Sequence, residues 1–341
     1  MTKPIRNERP ARTKKARRLR VALISVGVVL VVLVGGAGFY AASLSQKFNS
    51  AEKIVDAFPD ETDRPAEVVV PQDEPTAQNI LMLGSDTRGK ISGSLDSAGG
   101  NRSDTMMVVH IPADRENIQV MSMMRDSWVQ IPGRGEAKIN AALSYGGVPL
   151  TIQTVESLID TRIDHVAIVD FAGFSGITDA LGGITIDNPI AFTSRGNRFE
   201  QGPIPLNGAA ALAFVRERYT FSDGDFQRVR NQQLFIKAVM DKTLSRETLT
   251  NPVKIGDLVG AIAPYLAVDE GLDSGYAASL GFELGDIRSD DVTFFTMPTL
   301  GTDNVGGQSI VRVDVDTLEI IMEHVTTDTV DEVVPEVQTI G

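Results

Sequence analysis

The chain contains no cysteine, so no disulfide, thiolate nucleophile or cysteine-ligated zinc takes part in its chemistry. Histidine is nearly as scarce, with only His110, His165 and His324 among 341 residues. Three dispersed imidazoles argue against a His-rich metal centre or a histidine-based triad. Positive charge is lacking over most of the chain as well. The formal charge is −13, and residues 1–20 carry nine Lys/Arg against one acid, a net of +8, which leaves about −21 for the remainder. A body that acidic has no basic footprint for general nucleic-acid binding. It remains compatible with a local basic pocket for an anion. No internal repeat is visible.

What is present divides along the chain. Val21–Ala42 runs 22 residues without a charge, about 33 Å of helix at 1.5 Å per residue. Arg12, Lys14, Lys15, Arg17, Arg18 and Arg20 precede it. By the positive-inside rule this predicts a cytoplasmic basic tail (1–20), a transmembrane signal-anchor helix (21–42) and an exported remainder, hence a single-pass protein of the cell membrane facing the cell wall. A cleaved signal peptide ending near Ala41-Ala42-Ser43 is the alternative. Residues 43–77 predict an extracellular stalk, helical over Ser43–Phe58, then extended where Pro59, Pro65, Pro71 and Pro75 alternate with acids. A main domain follows over 78–312. Residues 313–341 form an acidic extension, with one helix near Leu318–Val325 and then a mobile tail.

Within the domain, short apolar runs at Ile80–Leu83, Met106–Ile111, Ile118–Met123, His165–Val169, Ile184–Ile186 and Val292–Thr296 predict buried strands. Helices are predicted over Lys138–Tyr145, Leu150–Leu158, Phe171–Ala180, Asn207–Ala213, Phe226–Leu244, Leu249–Ile262 and Gly275–Leu284, and a polar loop over Pro189–Pro203. This mixture indicates an α/β or α+β sandwich.

Gly84 to Lys90 matches the phosphate-loop spacing G-x-x-x-x-G-K. However, Ile91 stands where Ser or Thr is required, and Ser92–Gly100 is too rich in Gly and Ser for the helix that must follow. The same region offers a different chemistry. Asp86 and Arg88 lie just past a strand end, Arg102 and Asp104 just before the next strand, and Arg125 and Asp126 just after the third. Arg216 and Arg218 are two apart and in an extended backbone would share a face, about 6–7 Å from each other. Asp223, Asp225, Arg228 and Arg230 surround the start of the longest helix, where Asp225 and Arg228 are i,i+3 and Asn231 or Gln232 extends the face.

A single Arg–Asp pair is usually a surface ion pair. Six arginines recurring at element ends in an acidic body point instead to a shared anionic ligand. The guanidinium fork matches phosphate oxygens and never loses its charge. Carboxylates without histidine suit Mg²⁺, or Mn²⁺, shared with phosphate oxygens. Together they suggest a pyrophosphate substrate and phosphoryl-group chemistry.

In collinear order, Asn79-Ile-Leu-Met-Leu-Gly-Ser-Asp-Thr-Arg88, Arg102-Ser-Asp-Thr-Met-Met107, Arg125-Asp126 with Ile131-Pro-Gly133 and Lys138-Ile-Asn140, Ile163-Asp-His165, Asp179-Ala-Leu-Gly-Gly-Ile184, Leu206-Asn-Gly208, Ala211-Leu-Ala-Phe-Val-Arg-Glu-Arg218 and Gly224-Asp-Phe-Gln-Arg-Val-Arg-Asn-Gln-Gln233 resemble the signatures of the LytR-CpsA-Psr family of cell-wall glycopolymer ligases. The resemblance spans roughly Asn79–Leu244. It implies an α-β-α sandwich around a mixed central sheet, preceded by one transmembrane helix. It further implies Mg²⁺ on Asp86 and Asp104, and pyrophosphate held by Arg88, Arg102, Arg125, Arg216, Arg218 and Arg228, with Gln232 beside them. Asp225 would orient that cluster or share the acid–base work with Asp104.

The implied reaction moves an anionic glycopolymer from a polyprenyl-pyrophosphate carrier to a peptidoglycan sugar hydroxyl, typically C6 of N-acetylmuramic acid, with release of polyprenyl phosphate. The lipid tail would lie against apolar segments such as Phe171–Ile177, Phe214 and Phe235–Val239. Wall teichoic acid, capsule and arabinogalactan all fit such a site. A pyrophosphatase of the same donor and a non-catalytic, membrane-tethered binding or regulatory protein are the alternatives; membrane lipid is an implied partner and nucleic acid is not. Two departures stand out. Met123-Met124 replaces the proline common before Arg-Asp, and Gly89–Gly100 is a long glycine-rich loop.

Overall fold

The computed structural model describes residues 40–67, 75–85, 103–221, 223–327, 329–330 and 333, without the side chains of 103–104 and 171–172. The chain divides into two units, 1–46 and 47–341. In the first, residues 40–46 are described and are helical.

Alternation along three adjacent strands builds the centre of the second unit. In β2 (Gln78–Ser85), β3 (Ser103–Ile111) and β4 (Ile118–Met123), residues Leu81, Leu83, Met106, Val108, Met121 and Met123 share one core. That core is closed by Ile152, Val155 and Ile159 of α2 (Ala141–Ile159) and by Leu318, Ile321 and Val325 of α9 (Val315–Thr326). The intervening residues Ile80, Met82, Met107, Val109, Ile118 and Val120 pack on the opposite side with Ile236 and Met240 of α5 (Asp225–Thr243) and Leu280 of α8 (Ser274–Glu283). A period of two along each strand thus feeds two separate cores, and the result is an α-β-α sandwich.

The central sheet is mixed, with seven strands in the order β1 (Glu52–Ile54), β12 (Leu266–Asp269), β7 (His165–Asp170), β2, β3, β4 and β13 (Val292–Thr296). β2 lies parallel to β7 and antiparallel to β3. A second, four-stranded sheet takes β14 (Thr299–Val305), β15 (Gln308–Val313), β5 (Ser127–Ile131) and β6 (Gly135–Lys138). Two ribbons complete the strands: β8 (Ile184–Asn188) with β11 (Gly202–Leu206), and β9 (Phe192–Ser194) with β10 (Asn197–Phe199).

Among the described residues no helix is long and apolar enough to cross a membrane. The expected fold, an α/β sandwich preceded by one transmembrane helix, is therefore corrected to the sandwich alone. The single-pass signal-anchor topology and the cell-membrane localisation are withdrawn with it. The longest described helices, α2 and α5, bury Thr151, Thr154 and Glu156 in one case and Gln227, Arg228, Asn231, Gln232 and Gln233 in the other. Neither offers the uninterrupted apolar length that hydrocarbon demands. The run 21–42 lies outside the described residues up to 39.

Other elements differ from expectation for local reasons. The helix predicted over Ser43–Phe58, α1 (described over residues 40–48), stops at 48, and Glu52–Ile54 becomes an edge strand parallel to β12. The helices predicted over Lys138–Tyr145 and Leu150–Leu158 are joined as α2 across a kink at Gly146–Gly147, while Lys138 ends β6. The loop predicted over Pro189–Pro203 holds β9, β10 and the start of β11. Arg195 and Gly196 there both take positive φ, 49° and 82°, the backbone of a tight two-residue hairpin turn. The helix predicted over Leu249–Ile262 is two, α6 (Arg246–Leu249) and α7 (Pro252–Ile262). Asn251 accepts from Val253 N–H and Lys254 N–H and Pro252 opens the new helix.

Residues 61–64, within the stretch predicted as a stalk, are tied to the domain by one buried ion pair. Arg64 Nη2 donates to Glu156 Oε1 at 2.7 Å, with the two side chains 5% and 0% exposed. Ile163 N–H donates to the same oxygen at 2.8 Å.

Candidate active site

Arg216 and Arg218 are delivered by α4 (Gly208–Val215), whose N-terminus is clamped. Asn207 caps the helix by accepting from Ala210 N–H at 2.9 Å, and Asp179 Oδ1 accepts from Gly208 N–H at 2.8 Å. A Cβ on Gly208 would stand 2.4 Å from the Ser175 carbonyl oxygen, so no side chain fits. The motif residues Asp179 and Gly208, distant in sequence, are thus one contact.

At the other end of α4 the chain turns. Arg216 is αR, at φ −95° and ψ −7°, so Arg216 and Arg218 do not share an extended face as the spacing suggested. The turn is organised by Glu217, which is buried between them. Its Oε1 accepts from Tyr219 N–H at 2.7 Å, Thr220 N–H at 2.8 Å and the Thr220 hydroxyl at 2.9 Å. Burial opposes ionisation of Glu217, but hydrogen bonds from Ser194, Thr220 and Tyr219 outweigh it and hold its pKa below the ordinary 4.5. A lowered folded-state pKa stabilises the fold above the unfolded value, and that contribution is lost as pH falls through the folded value. Native and Glu217→Gln chains are therefore expected to differ in denaturant midpoint at pH 7 and to converge as pH drops below about 4.5. Paired unfolding titrations at pH 7 and pH 3 check this, and a difference that persists unchanged at pH 3 would refute it.

Asp225 opens α5 and is the hub of the site. Arg125 Nε donates to its Oδ2 at 3.2 Å, while Arg228 Nη2 and Arg218 Nη1 lie 3.5 and 3.8 Å from its Oδ1. Asp126 adds a second node, 3.3 Å from Lys138 Nζ and 3.9 Å from Arg125 Nε. One carboxylate thereby gathers three guanidiniums from three separate chain segments. Arg228 is buried, and around it α5 carries Gln227, Asn231, Gln232 and Gln233 inward. Asn231 donates to the Phe214 carbonyl at 3.2 Å, and Gln233 donates to Ser122 Oγ at 2.8 Å and the Phe295 carbonyl at 3.1 Å. These bonds fix α5 against α4, β4 and β13. Gln232 Nε2 is buried without a hydrogen-bond partner among the described residues.

Of the residues singled out from sequence, Arg125, Arg218, Arg228 and Asp225 converge, and Arg216 sits half-buried at the end of α4. Arg230 turns away, to Asp223 and to Gln227. Asp86, Arg88, Arg102 and the loop 89–100 lie outside the described residues, as does the side chain of Asp104. The backbone of Asp104 is on β3, where the register passes from Gly84↔Thr105 to Ser85↔Ser103. Asp104 is left without a partner of its own, at an irregularity of the kind that marks sheet ends beside active sites. Gly84 is required there, because a Cβ would stand 2.8 Å from Thr105 Cβ. Among the described residues there is no cluster of three or more His, Asp or Glu that could hold a metal.

The sequence pattern assigns no role to Glu217, Lys138 or the exposed Tyr219, whose hydroxyl accepts from Arg218 Nη2 at 2.6 Å. An acid between two arginines was the available signal for the first. Conversely, some motif residues are architectural. Asn79 and Asp164 exchange two hydrogen bonds, Asp164 N–H to Asn79 O at 2.8 Å and Asn79 N–H to Asp164 Oδ2 at 2.7 Å. His165 pairs with Asp269 at 3.1 Å.

Beside the arginine cluster lies an apolar one. Phe174 and Ile177 of α3 (Phe171–Ala180), Phe214, Phe235 and Val239 pack with Ile184, Ile186, Phe192 and Phe199. Residues of the segments expected to lie against a lipid tail, Phe174, Ile177, Phe214, Phe235 and Val239, are packed here into one core.

The fold is an α-β-α sandwich with three arginines gathered on one aspartate at its strand and helix ends. Residues 42–326 match the LytR_cpsA_psr family model, and the chain belongs to that family. The polyisoprenyl-teichoic acid–peptidoglycan teichoic acid transferase TagU of Halalkalibacterium halodurans is 32% identical over 248 residues, 71% of this chain and 79% of that relative. TagU of Oceanobacillus iheyensis is 34% identical over 259 residues, 72% and 77% of the two chains. The crystal structure of Bacillus subtilis TagV superposes with a TM-score of 0.61 at 25% identity, covering 76% of this chain and 98% of that one.

Proposed function

We propose that the chain is a phosphotransferase that moves an anionic glycopolymer from a polyprenyl-pyrophosphate carrier to a sugar hydroxyl of peptidoglycan. Family membership supports glycopolymer-to-peptidoglycan transfer as the reaction class. The observation that carries the reading further is the gathering of Arg125, Arg218 and Arg228 on Asp225. Three fixed cations within one cluster suit the four non-bridging oxygens of a pyrophosphate diester and the two negative charges they share.

In the proposed step, the acceptor hydroxyl oxygen forms a bond to the phosphorus that carries the glycan. The bridging P–O bond to the second phosphate breaks, and polyprenyl phosphate leaves with the bond electrons. The hydroxyl proton passes to a carboxylate and then to solvent. Arg125, Arg218 and Arg228 would hold the pyrophosphate and stabilise charge on the leaving oxygen, with Arg88, Arg102, Arg216 and Gln232 completing the grip. Asp225 already engages three guanidiniums through its two oxygens, which suits a positioning role. That leaves Asp104 as the candidate base. Asp86 and Asp104 would hold Mg²⁺ or Mn²⁺, since two hard carboxylates without histidine are the donor set those ions prefer. When bound, the ion would supply further neutralisation of pyrophosphate charge. The polyprenyl tail would lie against the apolar cluster that includes Phe174, Phe214 and Phe235.

The test is reconstitution of the full chain with Mg²⁺, a radiolabelled polyprenyl-pyrophosphate glycan and insoluble peptidoglycan. Label is expected in the peptidoglycan, matched one to one by polyprenyl phosphate, and chelation of divalent ions should stop both. Release of soluble glycan phosphate alone would replace transfer with hydrolysis. Recovery of intact donor would reduce the protein to a binder.

A further inference from the structure

Arg125 and Asp126 face more than the arginine hub. They also line a cavity of about 380 Å³ together with Trp128, Lys138, Asn140 and Tyr145, a volume ordinary for small-molecule sites. Its frame is rigid. Trp128 of β5 is in register with Lys138 of β6, Ile139 N–H donates to the Ser127 carbonyl at 2.8 Å, and Asn140 N–H donates to the Arg125 carbonyl at 3.2 Å. The second sheet and the start of α2 therefore hold this cavity at a fixed offset from Arg125.

The lining has a particular chemistry. Trp128 and Tyr145 offer flat, amphipathic aromatic rings. Asp126, Asn140 and Lys138 offer an acceptor, an amide and a cation. Asp126 and Glu136 among the lining residues add negative charge that works against a second phosphate here. A pyranose has the matching character: its C–H face packs on an aromatic ring, while its hydroxyls and acetamido group bond to carboxylates and amides around the edge. Tyr145 is 47% exposed, so the cavity opens to solvent and admits part of a polymer.

We propose that this cavity is the acceptor subsite, binding an N-acetylated sugar of the peptidoglycan strand. Naming the sugar as acceptor rests on the transferase reading. Because Arg125 belongs to both the phosphate cluster and the cavity, a sugar held there has its hydroxyls beside the pyrophosphate held by the same guanidinium. Proximity of this kind is what converts an encounter into an attack geometry. Lys138, 3.3 Å from Asp126, would donate to a carbonyl oxygen of the sugar's lactyl or acetamido group.

Trp128 is the only tryptophan, so binding has a readout independent of turnover. The full chain is titrated with the soluble N-acetylglucosaminyl–N-acetylmuramic acid disaccharide while tryptophan emission and heat are followed. Saturable binding with a change in emission is expected. A Tyr145→Ala chain is expected to bind the disaccharide about tenfold more weakly and to raise the acceptor KM by the same factor, with the donor KM shifting less than twofold. Absence of saturable binding at millimolar disaccharide, binding unchanged in Tyr145→Ala, or a shift confined to the donor KM would each overturn the proposal. Failure of transfer in the native chain would sink the transferase reading instead. Disaccharide binding at Trp128 would then still identify a sugar site.

Discussion

An Arg125→Ala chain is expected to transfer glycopolymer about 10²- to 10³-fold more slowly than the native protein, the loss typical of removing one donor from a preorganised anion site. Arg125 follows β4, donates to Asp225 at 3.2 Å and is 18% exposed, so it is held in place where a ligand can reach it. Alanine removes both the proposed phosphate donor and the link between the Asp225 and Asp126 nodes. Arg125→Lys keeps the charge but not the planar fork, and should recover only part of the loss. Single-turnover transfer assays, with thermal melts to confirm folding, check this. A rate within threefold of native in a folded Arg125→Ala chain would remove Arg125 from the site.

The largest expected stability effect is far from that chemistry. Arg64→Ala leaves the Glu156 carboxylate, 0% exposed, without its guanidinium partner. Breaking a buried pair from one side costs about 3–5 kcal/mol, because the surviving charge is stranded away from water. For a domain of this size that lowers Tm by about 10 °C. The double change Arg64→Met with Glu156→Gln removes both charges and should return at least about 2 kcal/mol of the loss. Differential scanning calorimetry of the three chains distinguishes this from an exposed pair, for which the single variant would melt within a degree or two of native. If the pair behaves as expected, residues 61–64 belong energetically to the folded domain.

The central strands were legible because their signal is local. Ile80–Leu83, Ile118–Met123 and Val292–Thr296 are short apolar runs bounded by turn residues, and all three are strands of the central sheet. The long helix beginning at Asp225 was legible for the same reason, and so was the i,i+3 pairing of Asp225 with Arg228. The strands Glu52–Ile54 and Leu266–Asp269 were not, because each is short and pairs only with strands distant in sequence, the first with the second more than 200 residues away and the second also with β7. The hairpin over 192–199 hid in a polar stretch, since its two phenylalanines bury only once Phe214 is packed against them.

By itself, the sequence determined which chemistry was open to this protein. Without cysteine, and with histidine too sparse for a triad, arginines and aspartates at element ends were the groups left to act on a ligand, and their collinear order marked the family. It could also place Asp225 beside Arg228, because helical spacing alone does that. Only the tertiary structure decided that Arg125 and Arg218 join them on one carboxylate, that Arg230 does not, and that Glu217 shapes the turn between Arg216 and Arg218. It likewise decided that Trp128, Lys138 and Tyr145 enclose a cavity against Arg125. The physical reason is distance: a helix or strand period reaches a few residues, whereas the ion pair from Arg125 to Asp225 closes a loop of 100 residues. No local pattern encodes a contact of that span; it exists because the two apolar faces of the central sheet bring those chain ends together.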